Sequence, residues 1–168
     1  MVELIPVTAA AQVEQVSRLA MHIWNEHYPR IIGQAQVDYM LETLQSPWAI
    51  QTQLDAGYHY YLIDHDGALA GYAGLLLEPE RHALFLGKIY VDSGLRGKGI
   101  GRDVVQQVIA MARQHQLNLI WLTVNKDNTG AIAAYEGMGF RNVQSVVMDV
   151  GEGFVMDDYR MELQLGKV

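Results

Sequence analysis

The stretch Lys88-Ile-Tyr-Val-Asp-Ser-Gly-Leu-Arg-Gly-Lys-Gly-Ile-Gly-Arg102 decides how this chain is read. It combines an apolar strand, a short turn and a basic glycine-rich segment that opens a long amphipathic helix. The first N–H groups of a helix have no partner inside it, and the macrodipole adds positive potential there, so such a start attracts anions. Gly97, Gly99 and Gly101 let the backbone approach a phosphate without a Cβ in the way. Arg96, Lys98 and Arg102 add full charges beside those amides. The segment suits a diphosphate.

Spacing narrows the ligand. The pattern GxxxxGK[ST] is absent, which excludes a P-loop NTPase. A dinucleotide fingerprint needs a third glycine where Arg102 stands, and a carboxylate about twenty residues further on, where Asn118 to Thr123 hold none. What remains is Arg96-x-x-Gly99-x-Gly101 directly after a strand. This resembles the acetyl-CoA signature of the GCN5-related N-acetyltransferase (GNAT) superfamily, in a bacterial single-domain form similar to polyamine-type acetyltransferases. Taken alone, the segment also fits a glycine-rich loop with surface charges, or a nucleotide-binding regulator. The resemblance implies that Arg96, Gly97, Lys98, Gly99, Ile100, Gly101 and Arg102 wrap the diphosphate of acetyl-CoA, which acts as co-substrate.

Bulk properties agree with a globular enzyme. A chain of 168 residues, 50% hydrophobic and 18% charged, is expected to form one domain over residues 1–168. The absence of cysteine excludes a disulfide scaffold, a cysteine zinc site and an acyl-cysteine intermediate. A net charge of −7 argues against duplex nucleic acid and slightly favours a cationic substrate. No membrane span or signal segment is legible, so a cytoplasmic location is expected, with a homodimer left open. The six histidines show no metal-ligand spacing, so no metal is expected.

Periodicity gives a strand at Glu3–Val7, then helices at Gln12–Tyr28, Gln34–Gln45 and Trp48–Ala56, the last capped by Ser46-Pro47. Pro29 and Gly57 act as stops. Tyr58–Asp64 and Ala68–Leu77 flank the hairpin signal His65-Asp66-Gly67, and Ala83–Asp92 leads into the glycine-rich loop. Gly99–His115 is a helix, Leu117–Val124 a near-continuous apolar strand covered on both faces, and Asn128–Met138 a helix closed by Gly139. Arg141–Val150 and Phe154–Leu165 are the final strands. The order predicts an α/β (mixed α+β) fold: a central mixed, mostly antiparallel sheet of about seven strands with helices on both faces.

A second matching feature is Asn125-x-x-Asn128-x-x-Ala131-x-x-x-Tyr135-x-x-x-Gly139-Phe140. Asn128, Ala131, Ile132 and Tyr135 share one helical face. The resemblance implies that Asn128 hydrogen-bonds the pantetheine arm and that Tyr135 stands near the sulfur as the acid for the leaving thiolate. Residue chemistry alone also allows an N-cap for Asn128 and core packing for Tyr135. The resemblance further implies that the backbone of Ile89, Tyr90 and Val91 pairs with the pantetheine amides like an added strand, one N–H polarising the thioester carbonyl. Trp24, Tyr28, Tyr39 and Trp48 fit a substrate wall, with core packing the safer account of the tryptophans.

The expected reaction is direct transfer of the acetyl group to a primary amine of a small molecule in a ternary complex. The alternative is a non-catalytic acyl-CoA-binding or sensing module on the same fold. Members of the family place a carboxylate base two residues before the pantetheine triplet, and here that position is Gly87, followed by Lys88. Glu78, Glu80 or His82 through water, or Tyr28 and His27, are the substitutes the sequence offers. Asp157 and Asp158 fit either solvated hairpin carboxylates, the favoured reading, or contacts to a cationic amine, whereas Arg30 fits a substrate carboxylate.

Overall fold

The computed structural model describes residues 1–166. Its strands are β1 (Val2–Pro6), β2 (His59–His65), β3 (Ala68–Glu78), β4 (Ala83–Val91), β5 (Leu119–Asn125), β6 (Arg141–Gly151) and β7 (Phe154–Gln164). The α-helices are α1 (Ala10–His27), α2 (Pro29–Ile32), α3 (Gln34–Leu44), α4 (Pro47–Asp55), α5 (Ile100–Gln114) and α6 (Thr129–Gly137). The strands form one mixed sheet in the order β1-β2-β3-β4-β5-β7-β6, with β4 and β5 a parallel pair. None of the described helices is long and apolar enough to cross a membrane.

Most expected elements stand within a residue or two of their predicted bounds. Pro29 differs in kind. It stops α1 but also starts the short α2, because a missing N–H and a fixed φ suit a first helical position. Ser46 caps α4, its hydroxyl accepting from the Ala49 N–H at 3.2 Å. Asp66 and Gly67 both have positive φ, 53° and 89°, which is the two-residue turn that matches strand twist.

The chain divides into two compact units: residues Met1–Leu76 with Lys88–Gln106, and Leu77–Gly87 with Gln107 onward. The core of the first unit comes from one stripe of α1 (Val13, Val16, Ala20, Ile23, Trp24), from α3 and α4, and from both faces of β2 and β3. Each large side chain so buried contributes roughly 1.5–3 kcal/mol. A buried polar chain runs through it. The Trp24 indole N–H donates to Tyr72 Oη (3.1 Å), Tyr72 donates to Gln45 Oε1 (2.6 Å), and Gln45 Nε2 donates to Tyr60 Oη (3.3 Å). Tyr60 donates onward to Gln53 Oε1 (2.5 Å). Burial raises the pKa of both tyrosines, so each remains a donor. Trp48 departs from the packing expected of it: it is 77% exposed.

In the second unit the strands alternate. Ile120, Leu122 and Val124 of β5 and Met161 of β7 are buried. On the opposite face Phe85 stacks on Trp121 at 4.1 Å, and the Arg160 guanidinium lies 4.0 Å over the Trp121 ring. The expectation that β5 is covered on both faces therefore fails. The apolar Trp121 sits on a part-exposed face because cation–π and stacking contacts shield it.

Two strand features invite tests. A Cβ at Gly71 would lie 1.9 Å from the Tyr90 carbonyl oxygen, so β3 passes β4 at a distance only glycine allows. Gly71→Ala should cost about 2–3 kcal/mol in urea unfolding, whereas Gly130→Ala, open on all sides in α6, should stabilise by about 0.5–1 kcal/mol. Equal midpoints for the two variants would show that the close passage is not rigid. Lys88 on β4 is largely enclosed, and desolvation lowers its pKa to about 8 from 10.5. Between those values the unfolded chain binds more protons, so stability rises with pH, and the full penalty applies below pH 8. Lys88→Met should raise stability at pH 7 by about 1–3 kcal/mol and lose that advantage near pH 10.5. A pH-independent difference would refute the desolvation account.

Candidate active site

In the first unit β4 runs from Ile89 to Val91 straight into the loop. Asp92 ends the strand, with its N–H bonded to Ala70 O at 2.8 Å and its Oδ1 accepting from the Gly94 N–H at 3.0 Å. A 3-10 turn at Ser93–Leu95 follows. Two side-chain links tie this turn to α1. His22 Nε2 lies 3.2 Å from Asp92 Oδ2, and the Ser93 hydroxyl donates to Glu26 Oε2 at 2.6 Å. His22, Glu26 and Asp92 offer one ligand atom each within 4.8 Å of one another. This cluster escaped the sequence because Asp92 is distant along the chain. As built it is a polar side-chain clasp that holds the loop entrance.

Beyond the clasp the backbone turns left-handed twice, at Gly97 (φ 80°) and Gly99 (φ 77°). A side chain would be strained at both. Gly101 has no positive φ and lies inside α5, so its need for glycine is not conformational. Helix α5 starts at Ile100 rather than Gly99. Its first bond is Asp103 N–H to Gly99 O at 3.0 Å, which leaves the Ile100, Gly101 and Arg102 amides at the open end. The Ile100 side chain is buried, as are Val104 and Val105, and this anchors the helix start. Arg96, Lys98 and Arg102 are exposed around it. Two glycine-set turns, open amides and three cations together make an anion cradle.

The strand feeding the cradle carries an aromatic cluster. The Tyr90 ring packs 5.4 Å from Trp24, 6.2 Å from Tyr28 and 5.3 Å from Tyr72. Trp24 is thus core, as expected, while Tyr28 is part-exposed at the end of α1. Lys88 precedes the triplet, beside Gly74 and the Tyr60 ring. Arg30 and Trp48 are exposed elsewhere on the helices.

In the second unit, Asn128 occupies the N-cap position of α6, with Ile132 N–H bonding its carbonyl at 3.1 Å. Its side chain makes no cap hydrogen bond, yet it is buried. The capping role is therefore filled by its backbone alone. Tyr135 is part-exposed on the same helix face and meets Phe140 edge-on at 5.5 Å. Gly139 (φ 104°) makes the turn that brings Phe140 back beneath it.

The candidate bases separate clearly. Glu78 accepts from the Trp121 indole at 2.6 Å and lies 3.8 Å from Arg81, so it is already engaged. Glu80 and His82 are exposed at the turn between β3 and β4. Gly87 could not hold a carboxylate without movement, since its Cβ would lie 3.0 Å from the Phe85 ring. The reading of Asp157 and Asp158 as a solvated pair needs correction. Asp157 is exposed and paired to Lys126 at 2.8 Å, but Asp158 is 1% exposed. Neither Asp158 oxygen has a well-formed hydrogen bond; the Thr123 hydroxyl stands near enough to offset only part of the cost. Burial pushes its pKa up to about 6. Strand alternation could not have signalled this, since Asp158 falls on the face of β7 opposite the buried Met161 and its burial comes from tertiary packing.

Known proteins resemble this chain in sequence and fold. The sequence pattern of the acetyltransferase (GNAT) family covers residues 18–140. Streptothricin acetyltransferase of Streptomyces lavendulae is 37% identical over 81 residues, 48% of this chain and 43% of its own length. The match thus spans less than half of that relative. N-alpha-acetyltransferase RimI of Mycobacterium tuberculosis is 30% identical over 120 residues, 65% of this chain and 71% of its own. The PaiA N-acetyltransferase of Thermoplasma acidophilum, solved in complex with coenzyme A, superposes with a TM-score of 0.77. It is 16% identical and the match covers 98% of this chain and 99% of that one, a likeness of fold. With the family pattern spanning most of the sequence, the chain belongs to the acetyltransferase (GNAT) family.

Proposed function

We propose that this protein is an acetyl-CoA-dependent N-acetyltransferase that moves the acetyl group directly to a primary amine of a small molecule. The observation that carries the reading is the cradle at the start of α5. Left-handed Gly97 and Gly99 leave the first amides open, and Arg96, Lys98 and Arg102 surround them. On this reading the diphosphate of acetyl-CoA lies on the backbone of residues 96–102, and the pantetheine arm pairs with Ile89, Tyr90 and Val91. The two compact units act as one acetyltransferase domain.

The chemistry needs a neutral amine, because an alkylammonium near pKa 10.4 has no lone pair to offer. Once deprotonated, its nitrogen attacks the thioester carbon, the C–S bond breaks, and the thiolate takes a proton. Tyr135, part-exposed and oriented by Phe140, is our choice for that donor. Asn128, buried at the head of the same helix, would hold the pantetheine arm. The missing carboxylate at Gly87 supports one other reading, a module that binds acyl-CoA without turnover. Release of thiol across a panel of amines separates the two.

Calorimetry tests the cofactor directly: acetyl-CoA and CoA should bind, in preference to ATP or NAD. No binding of either at sub-millimolar concentration would refute the proposal. Gly99→Val should weaken binding much more than it lowers stability, through the left-handed strain and the blocked approach to the amides. Unchanged affinity in the folded variant would place the diphosphate elsewhere. Tyr135→Phe should keep acetyl-CoA affinity and lose roughly tenfold to a thousandfold in turnover, about 1.4–4 kcal/mol of barrier. Wild-type rates on a substrate whose chemical step limits would reduce Tyr135 to packing.

A further inference from the structure

Two carboxylates converge on one imidazole nitrogen at the entrance of the glycine-rich loop. His22 and Glu26 stand one turn apart on the exposed side of α1, and Asp92 follows the last residue of β4. Glu26 Oε1 lies 3.5 Å and Asp92 Oδ2 3.2 Å from His22 Nε2. The second oxygen of each carboxylate is already used. Ser93 Oγ donates to Glu26 Oε2 at 2.6 Å, and the Gly94 N–H donates to Asp92 Oδ1 at 3.0 Å. These bonds leave Oε1 and Oδ2 to face His22. All five residues belong to the first unit. Among the described residues, no other three His, Asp or Glu side chains bring their ligand atoms within 4.8 Å of one another.

Hydrogen bonding does not account for the arrangement. The Nε2 of a neutral imidazole offers one N–H or one lone pair, so it satisfies at most one of the two facing oxygens. Among the described residues no Lys or Arg ion-pairs with Glu26 or Asp92. A divalent cation would bring the sum over two carboxylates and a neutral imidazole to zero. The spacing fits one as well. Zinc bonds of about 2.0–2.2 Å to nitrogen and oxygen set neighbouring tetrahedral ligands about 3.3–3.6 Å apart, and the separations here are 3.2 and 3.5 Å. An imidazole ligand favours a first-row transition metal over Mg²⁺ or Ca²⁺, which take oxygen sets. Exposure of His22 and Glu26 leaves the remaining position open to water.

We propose that His22, Glu26 and Asp92 form a site for a divalent transition metal, with Zn²⁺ the best fit and water as the fourth ligand. Ser93 and Gly94 are the outer partners that aim the two carboxylates. The ion would tie α1 to the turn at Ser93–Leu95 and so brace the backbone that leads to Gly97 and Gly99. Its role is structural, and it depends on no reading of what the cradle binds. Histidine spacing predicts no metal because the third ligand comes from a distant strand end.

Calorimetry with ZnCl2 on the full chain, stripped beforehand with a chelator, should show a single site. His22→Ala and Glu26→Gln change exposed side chains, and circular dichroism checks that both variants fold. Each should weaken zinc binding by more than the roughly 10- to 100-fold that an outer partner is worth. Asp92→Asn, which keeps an acceptor for the Gly94 N–H, should do the same, and Ser93→Ala should cost about tenfold. His65→Ala, at the other His–carboxylate contact, should leave the affinity unchanged. Co²⁺ in place of zinc should give the visible absorption of a tetrahedral site in wild type and not in His22→Ala. Zinc should likewise raise the Tm of wild type and not of His22→Ala. No binding at sub-millimolar ZnCl2 would reduce the cluster to a hydrogen-bonded clasp and overturn the proposal. Affinity that survives both His22→Ala and Glu26→Gln, or that is lost in His65→Ala, would overturn it too.

Discussion

The open amides at the start of α5 are the constraint around which the first unit is arranged. A helix cannot pair its first N–H groups with itself, so they must meet water, a cap or a ligand. Here the approach is kept free of side chains by left-handed Gly97 and Gly99, while the buried Ile100, Val104 and Val105 fix the helix behind it. The upstream clasp serves the same end. His22–Asp92 and Ser93–Glu26 hold the turn, and Gly71 lets β3 close against the Tyr90 backbone. Loop position is thus set by contacts on three elements, so on the proposed reading a diphosphate would meet a site already formed.

Much of this was legible in the chain because it is local. The strand-turn-glycine-helix order from Lys88 to Arg102 depends on nearest-neighbour chemistry, and so do the Ser46-Pro47 cap and the Asp66-Gly67 turn. Helix stripes such as Val13, Val16, Ala20, Ile23 follow a period that the core imposes directly. Gly101 shows the limit of such reading: it shares a motif with Gly97 and Gly99 but lacks their left-handed backbone. The clasp and the Trp24–Tyr72–Gln45–Tyr60 chain were not legible, since they join residues far apart in sequence. Trp48 was misjudged for a related reason. Helical periodicity gives a face, but only tertiary packing says whether that face meets anything.

The second unit shows how hydrophobicity misleads in a strand. Leu117 to Val124 reads as near-continuously apolar, yet along β5 the structure buries only alternate residues. Trp121 lies on the outward row and is kept from water by Phe85 and Arg160. That arrangement commits Arg160, through Glu162 and the indole, and so removes the one cation of β7 that register would bring beside Asp158. The uncompensated carboxylate is a consequence of how Trp121 is covered.

Lys88 and Asp158 make the same physical point with opposite charge, each within its own unit. Both are desolvated, both have pKa values moved toward neutrality, and both weaken the fold at pH 7. A sequence shaped for stability alone would place Met or Leu at the first and Asn or Thr at the second. Exposed ions such as Asp157 and Lys126 can be exchanged at little cost, because solvent screens them. Desolvated ones cannot be explained by solubility or by pairing. Each is a cost set by tertiary packing, which encloses a charge that the local sequence alone would leave in solvent.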